Sequence, residues 1–446
     1  MRFVVIGGDA AGMSAASKAK RNKPDLEVIV LEATSDVSYS ACGMPYNIAQ
    51  PERIMDDLVV RKAEVFRSKQ GIDLRLGHTA NALDKDRKLA LGTADGGKEF
   101  EVSYDKLLIA TGARPIRPQI PGMNLPGVHV LKSLQDGRNI KQDLASRNVK
   151  DALIVGMGYI GLEMAEALVA RGIRVHAVDL LPRLLPWLPQ EMADVVQEEL
   201  ADHDVKMHFG VKLQRLEPGN GKLKVILDQG EIAVDLVLVA IGIVPNSELA
   251  SAAGLALGPK NAIAVDKTMK TSDPDIYAAG DCADAFHIVT GKRVWIPLAL
   301  RANRAGWAVA DNITGSESIL DGVAGTAVFK VMGLEVARTG LSLQEAADAG
   351  FQPVDVVIKS RSRAHAHPGN QTIHVNLVAD KPTGKLLGGS MVGREGAAHR
   401  INALAVALHA GMTVEQFFQC DFAYAPPFSP VWDPLLTAAN QLTKSL

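Results

Sequence analysis

Cys42 stands in the run Ser38-Tyr39-Ser40-Ala41-Cys42-Gly43-Met44-Pro45-Tyr46. A thiol there can act as nucleophile and as electron carrier, in both cases as its thiolate. A helical pattern starts near it, and a helix N-terminus is expected to lower the thiol pKa. No resolving cysteine lies nearby in sequence. Cys282 and Cys420 fit no motif that needs a thiol and are expected to be structural, with some reactivity open to Cys420 from its neighbourhood. A lone thiolate has two routes. It can attack a disulfide and hold half the substrate as a mixed disulfide, which two further electrons release. It can instead cycle through sulfenic acid when the oxidant is peroxide or oxygen. Either route needs an electron donor beside the sulfur.

Two glycine-rich segments could hold one. Arg2 to Ile6 reads as a strand, Gly7-Gly8-Asp9-Ala10-Ala11-Gly12 follows, a helix runs through about Lys20, and a second strand, Glu27 to Leu31, ends in Glu32. This is the order of a βαβ dinucleotide site. The pyrophosphate sits where free N–H groups and the helix dipole favour an anion, and Glu32 is placed to accept from a ribose. Asp9 replaces the second glycine of the pattern, so its carboxylate must point aside or cap the helix. The second segment is complete: a strand, Ala152 to Val155, then Gly156-Met157-Gly158-Tyr159-Ile160-Gly161, a helix through Leu162 and Glu163, and a strand from Arg174 ending in Asp179. Each half closes on a buried strand followed by small residues, Ala110-Thr111-Gly112 in the first and Ala240-Ile241-Gly242 in the second. A backbone can pass close to a cofactor there.

Composition sets the frame. The 446 residues predict about three domains at ~150 residues each. With 48 Lys plus Arg against 50 Asp plus Glu, the chain lacks the basic excess of a nucleic-acid binder. Three cysteines make no disulfide framework, and a reducing, cytoplasmic setting is expected. No signal-peptide core and no membrane-length apolar run occurs, so no membrane partner is expected.

With these motifs the sequence resembles the two-dinucleotide-binding-domain flavoproteins, the pyridine nucleotide-disulfide oxidoreductases. Thr271-Ser272-Asp273-Pro274-Asp275-Ile276-Tyr277-Ala278-Ala279-Gly280-Asp281 is similar to their second FAD motif. The resemblance implies an α/β fold with two Rossmann-like domains, one for FAD and one for NAD(P)H inserted in it, and a C-terminal α+β dimerisation domain. The expected division is FAD domain 1–113 and 245–321, NAD(P)H domain 114–244, dimerisation domain 322–446. It implies FAD contacts from Gly7, Gly8, Ala10, Ala11, Gly12, Glu32, Ala110, Thr111, Gly112, Gly280, Asp281, Pro297 and Ala299. A helix near Pro297 to Ala308 is expected to aim its N-terminus at the flavin. NAD(P)H contacts fall to Gly156, Gly158, Tyr159, Ile160, Gly161, Glu163, Asp179 and Gly242, with Glu163 near the nicotinamide. Asp179 favours NADH, because a carboxylate repels the 2′-phosphate of NADPH; Arg183 could soften that preference.

Disulfide reductases of this family carry Cys-x-x-x-x-Cys at the Cys42 position, but here the second cysteine is Asn47. That places the chain among the single-cysteine members: coenzyme A-disulfide reductases, persulfide or polysulfide reductases, NADH oxidases and NADH peroxidases. The oxidases and peroxidases carry a histidine where this chain has Ala10. The stretch from Asp421 to Pro430 resembles the coenzyme A-disulfide reductases, and implies that Tyr424, reaching in from the other subunit of a homodimer, protonates or hydrogen-bonds the departing thiolate. Lys18, Arg21 and Arg61 are the candidate cations for coenzyme A phosphates, with Ser38 facing the pantetheine. Two departures bear on the substrate. Ala41 replaces the subgroup's asparagine, and Ala366 or His367 stands where it has a second tyrosine. His365 and His367 read as a solvated loop rather than a metal site. The expected activity is therefore NAD(P)H- and FAD-dependent reduction of a small disulfide or persulfide, foremost coenzyme A disulfide. The rivals are an NADH oxidase or peroxidase, a polysulfide reductase (disfavoured by the lack of a sulfurtransferase-type extension), and an electron-transfer flavoprotein serving a protein partner.

Overall fold

The computed structural model describes all 446 residues. Its first parallel sheet has the spatial order Asp73–Arg75, Glu27–Leu31, Arg2–Ile6, Lys106–Ile109, Ile276–Ala278. The second has the order Lys206–Phe209, Arg174–Asp179, Asp151–Val155, Leu236–Val239, Val128–His129. Each sheet is covered on both faces, which is why its central strands read as continuous apolar runs rather than alternating ones. In both, the strand before the glycine loop pairs in parallel with the strand that ends in the acidic residue and with the closing strand. Each domain also carries a three-stranded antiparallel sheet, His78–Asp84 to Ser103 in the first and Leu213–Pro218 to Val234 in the second.

The chain crosses between these sheets twice, and the crossings pair with each other. Ala113–Pro115 runs antiparallel to Ile243–Pro245. Asn246 ties them to the end of the first closing strand. It donates to the Thr111 carbonyl at 2.8 Å, and its own carbonyl accepts from the Thr111 hydroxyl at 2.6 Å. The C-terminal unit is a five-stranded antiparallel sheet, Ala327–Val331, Leu334–Gly340, Leu386–Gly393, Thr372–Asp380, Pro353–Arg361 in spatial order. Helices Ala397–His409 and Pro434–Leu442 contribute Leu404, Leu408, Leu435 and Leu442 to its core. No helix is long and apolar enough to cross a membrane.

Helix Ala299–Thr314 lies against helix Ala10–Asn22. Gly306 makes the close approach possible, since a Cβ there would collide with the Ala11 carbonyl oxygen. The N-terminus of Ala299–Thr314 has no side-chain cap, which leaves its first N–H groups free for a ligand.

Candidate active site

The two glycine loops are built alike. A Cβ on Gly12 would collide with the Gly7 carbonyl oxygen, and one on Gly161 with the Gly156 carbonyl oxygen. Gly7 and Gly156 have φ of +110° and +96°, where an L side chain is strained, and each abuts the carbonyl of the closing strand, Ala110 or Ala240. The acidic residues hold the loops from the other side. Glu32 accepts from the Gly8 N–H at 2.6 Å and the Thr34 N–H at 2.8 Å. Asp179 accepts from the Met157 N–H at 2.7 Å and the Leu181 N–H at 2.9 Å. Gly158 and Gly112 have open space where a Cβ would go. These cradles fit two dinucleotides: close backbone, free helix N–H groups, and a carboxylate at each ribose position. Gly242, exposed at φ +121°, and Ile160, half-buried at the start of its helix, edge the second cradle.

Asp9 points aside, one of the two options its position leaves open. It occupies the N-cap position of helix Ala10–Asn22 without capping it, and accepts from the Tyr39 N–H at 3.3 Å. Burial, only partly relieved by that hydrogen bond and by Lys132, pushes its carboxyl up to about 6. Lys132 was not singled out by any motif. It precedes helix Leu134–Ser146 of the second domain, and its Nζ donates to Asp281 at 3.0 Å. Arg301, buried, donates to the carbonyls of Gly280, Ala283 and Asp284 and so fixes the loop that carries Asp281. Pro297 and Ala299 border the free helix end.

Cys42 lies in a short 3-10 turn, Ala41–Gly43, ahead of the five-residue helix Met44–Ile48. The thiol is exposed, whereas Cys282 is buried against the Ile109 and Ala279 carbonyls and Cys420 is half-buried in the C-terminal unit. The expected lowering of the Cys42 pKa does not occur. Desolvation and the charge of Glu163, then Asp281 and Asp9, push the thiol up, and Lys132 alone opposes them. A single turn and a five-residue helix supply little dipole to counter those carboxylates. Glu163 accepts from the Tyr46 hydroxyl at 2.9 Å, so it faces the cysteine-bearing helix as well as its own glycine loop.

Other candidates fall differently. Tyr159 is stacked on Phe329 of the C-terminal unit, with ring centroids 4.6 Å apart, and edge-on to Trp187. Arg183 donates to the Pro186 and Leu188 carbonyls within its own loop, so its charge is turned away from Asp179. Lys18 is paired with Asp311 at 2.6 Å and lies over Trp307, so it is not the free phosphate-binding cation expected of it. Arg21 is exposed with no partner, and Arg61 is exposed over the Phe66 ring. Ser38, at φ +49°, accepts from the Val60 N–H at its carbonyl beside the cysteine turn. Tyr424, in the C-terminal unit, is about half exposed, with exposed Phe428, Val431 and Trp432 close by in sequence. The loop bearing His365 and His367 adjoins it: the Ala364 N–H donates to the Pro426 carbonyl at 3.1 Å, and Arg400 bridges the Ser362 and Phe428 carbonyls.

Residues 1–306 match the family described as pyridine nucleotide-disulphide oxidoreductase, and residues 326–435 match its dimerisation domain. The chain belongs to this family. It is a flavin-dependent NAD(P)H oxidoreductase, and its C-terminal unit is the dimerisation domain. Among relatives of this oxidoreductase, an NAD(P)H sulfur oxidoreductase (CoA-dependent) of Pyrococcus furiosus is 41% identical over 445 residues, covering 99% of each chain. An NADH oxidase of Methanocaldococcus jannaschii is 35% identical over 452 residues, covering 100% of this chain and 99% of that one. Among solved structures, an NAD-dependent persulfide reductase from A. fulgidus superposes with a TM-score of 0.96 at 37% identity, covering 100% of this chain and 83% of that one.

Proposed function

We propose that this oxidoreductase uses NADH, with NADPH second, to reduce the sulfur–sulfur bond of coenzyme A disulfide or a coenzyme A persulfide through Cys42. The observation that carries the reading is one exposed thiol beside the first cradle with no partner thiol: Cys282 is buried and Cys420 belongs to another domain. When bound, the flavin takes hydride equivalents from the nicotinamide and passes two electrons toward sulfur. The chain's own part is to present the Cys42 thiolate, which attacks one sulfur of the acceptor, forms a mixed disulfide and expels the other sulfur as a thiolate. The CoA-dependent name of the Pyrococcus relative and the persulfide reductase title of the structural neighbour support this acceptor class.

For coenzyme A phosphates the available cations are Arg21 and Arg61, while Lys18 must first leave Asp311. Tyr424 acts in a homodimer: its exposed, aromatic-rich segment belongs to the matched dimerisation domain, and Tyr424 of the partner subunit hydrogen-bonds or protonates the thiolate that Cys42 expels. The loop of His365 and His367 is hydrogen-bonded to that segment.

The test is an anaerobic assay with NADH or NADPH against coenzyme A disulfide, coenzyme A persulfide and polysulfide. Cys42→Ser is expected to lower acceptor reduction by about a thousandfold or more while NADH still bleaches the flavin. Full acceptor reduction by Cys42→Ser would instead favour a reductase for a protein partner. A second reading, NADH oxidase, is favoured by the name of the Methanocaldococcus relative. Rapid oxygen uptake, stoichiometric with NADH and without any disulfide, would establish it; Ala10 in the first glycine loop argues for slow uptake.

A further inference from the structure

The helix that follows Cys42 belongs to the first domain in sequence but is gripped by the second. Tyr46 donates its hydroxyl to Glu163 at 2.9 Å. Lys141 donates to the Asn47 carbonyl at 2.9 Å, to Asn47 Oδ1 at 3.1 Å and to the Gln50 carbonyl at 2.7 Å. Arg171 donates to the Ile48 carbonyl at 3.1 Å. A five-residue helix leaves its last carbonyls short of donors, so Arg171 supplies the partner the Ile48 carbonyl lacks and Lys141 adds a second donor to those of Asn47 and Gln50. Arg138, on the same helix as Lys141, adds a brace by donating to both oxygens of Asp36 at 2.8 Å and to Asp56 at 2.7 Å.

The grips differ in kind. Lys141 and Arg171 hold main-chain carbonyls; those of Asn47 and Gln50 also accept from the backbone, from Gln50 and Arg53, while the Ile48 carbonyl has Arg171 as its partner. Tyr46 and Glu163 are joined by one side-chain hydrogen bond, and Tyr46 is 41% exposed, so either partner can turn to another without leaving a buried group unpaired. Glu163 is also the grip nearest the second glycine loop, four residues beyond Tyr159 on the helix that starts there. It thus stands between the nucleotide cradle and the cysteine.

We propose that Tyr46 is a positioning residue through which occupancy of the nicotinamide site reaches Cys42: a nicotinamide nucleotide that engages Glu163 competes with Tyr46 and lets the head of the Cys42 helix shift while Lys141 and Arg171 keep its far end in place. The inference rests on assigning the second cradle to the pyridine nucleotide and needs nothing about the sulfur acceptor. A helix head no longer tied to Glu163 leaves the sulfur more open to a reagent, which fixes the direction of the effect. Coupling at equilibrium also requires a converse: a modified Cys42 that displaces the helix head changes nucleotide affinity.

The experiment uses the oxidised, flavin-loaded enzyme, pre-reduced with a thiol and desalted, with NAD+ as a ligand that cannot reduce it. Iodoacetamide labelling of Cys42 is followed by peptide mass across pH 6 to 9 (about the range where a thiol titrates). NAD+ is expected to speed labelling about fivefold at neutral pH, the size of one exchanged hydrogen bond. In Tyr46→Phe the rate without NAD+ is already raised and the nucleotide adds less than about twofold. Glu163→Gln keeps an acceptor for Tyr46 and retains a response. A full NAD+ response in Tyr46→Phe, or its loss in Glu163→Gln alone, overturns the proposal. If Tyr46→Phe loses its flavin, the wild-type enzyme decides by itself: NAD+ affinity, read by fluorescence before and after alkylation, must differ, and equal affinities overturn the inference. None of these readouts involves disulfide turnover, so their failure is separate from a failure of the acceptor assay.

Discussion

The two dinucleotide domains share strand order, glycine collisions and acidic hooks, and differ at the second glycine position of the loop. Where the second has Gly158 with open space beside it, the first has Asp9 with a buried carboxyl. The second domain presents a plain cradle. The first adds charged and reactive groups to the same cradle: Asp9, Cys42 and, from across the domain boundary, Lys132 on Asp281. The common features are those that bring a backbone up to a pyrophosphate, and the differing ones surround Cys42. The duplicated fold thus fixes binding, and the chemistry lies in what one copy adds.

The largest effect comes from breaking one cradle at a time. Gly12→Ala and Gly161→Ala each drive a methyl into a carbonyl oxygen, an overlap that costs at least ~1–3 kcal/mol and shifts the loop. Gly12→Ala is expected to yield colourless protein. Gly161→Ala is expected to stay yellow, with NADH-driven bleaching lost and bleaching by dithionite kept. Visible spectra before and after each reductant read both outcomes, and identical spectra for the two variants would break the division of labour between the domains.

Next is Asp9. A carboxyl whose native pKa is raised holds its proton more tightly folded than unfolded. The native state therefore loses stability as pH climbs from the ordinary carboxylate range, near 4, to about 6, and the full penalty stands above that. Two units correspond to about 3 kcal/mol at most. Asp9→Asn should raise the melting temperature at pH 7.5, with the gain shrinking toward pH 4.5. A gain that grows on acidification would reverse the sign assigned to this group.

Much of this comparison is legible in the sequence, because glycines, strand runs and terminal acids are local patterns set by backbone sterics. The helix over Ala397–His409 and the strand over Arg2–Ile6 fall where their periodicity places them. Contacts between distant segments are not legible. Nothing in the local pattern of Lys132 points to Asp281, 149 residues away, nor of Tyr46 to Glu163, 117 residues away. The direction of the Cys42 pKa is illegible for the same reason: the helix following it is visible in sequence, but the burial and the three carboxylates that push the thiol up are set by the fold. Lys18 reads as a free cation on helix Ala10–Asn22 until the fold sets Asp311 beside it.

A smaller effect separates the two acidic hooks. Asp179 and Glu32 make matching backbone hydrogen bonds, yet only Asp179 has to discriminate between nucleotides. With Arg183 bonded into its own loop, no cation offsets that carboxylate. Asp179→Ser is expected to move the NADPH/NADH ratio of kcat/KM toward NADPH by about tenfold, chiefly through KM. An unchanged ratio would assign the preference to another residue.

The finest test concerns Lys132, which reaches from the second domain into the first. It is the one cation opposing the carboxylates around Cys42, and it already shares its charge with Asp281 at 3.0 Å. Lys132→Met leaves Asp281 uncompensated, so the Cys42 thiol should titrate at still higher pH. The shift is expected to be small, because Lys132 already shares its charge with Asp281. The thiolate lost on protonation is the attacking form, so labelling at pH 7 slows while the rate at high pH, where every molecule is ionised, stays the same. If labelling at high pH slows equally, Lys132 shapes access to the sulfur rather than its charge, and the chemical difference between the two cradles would belong to the first domain alone.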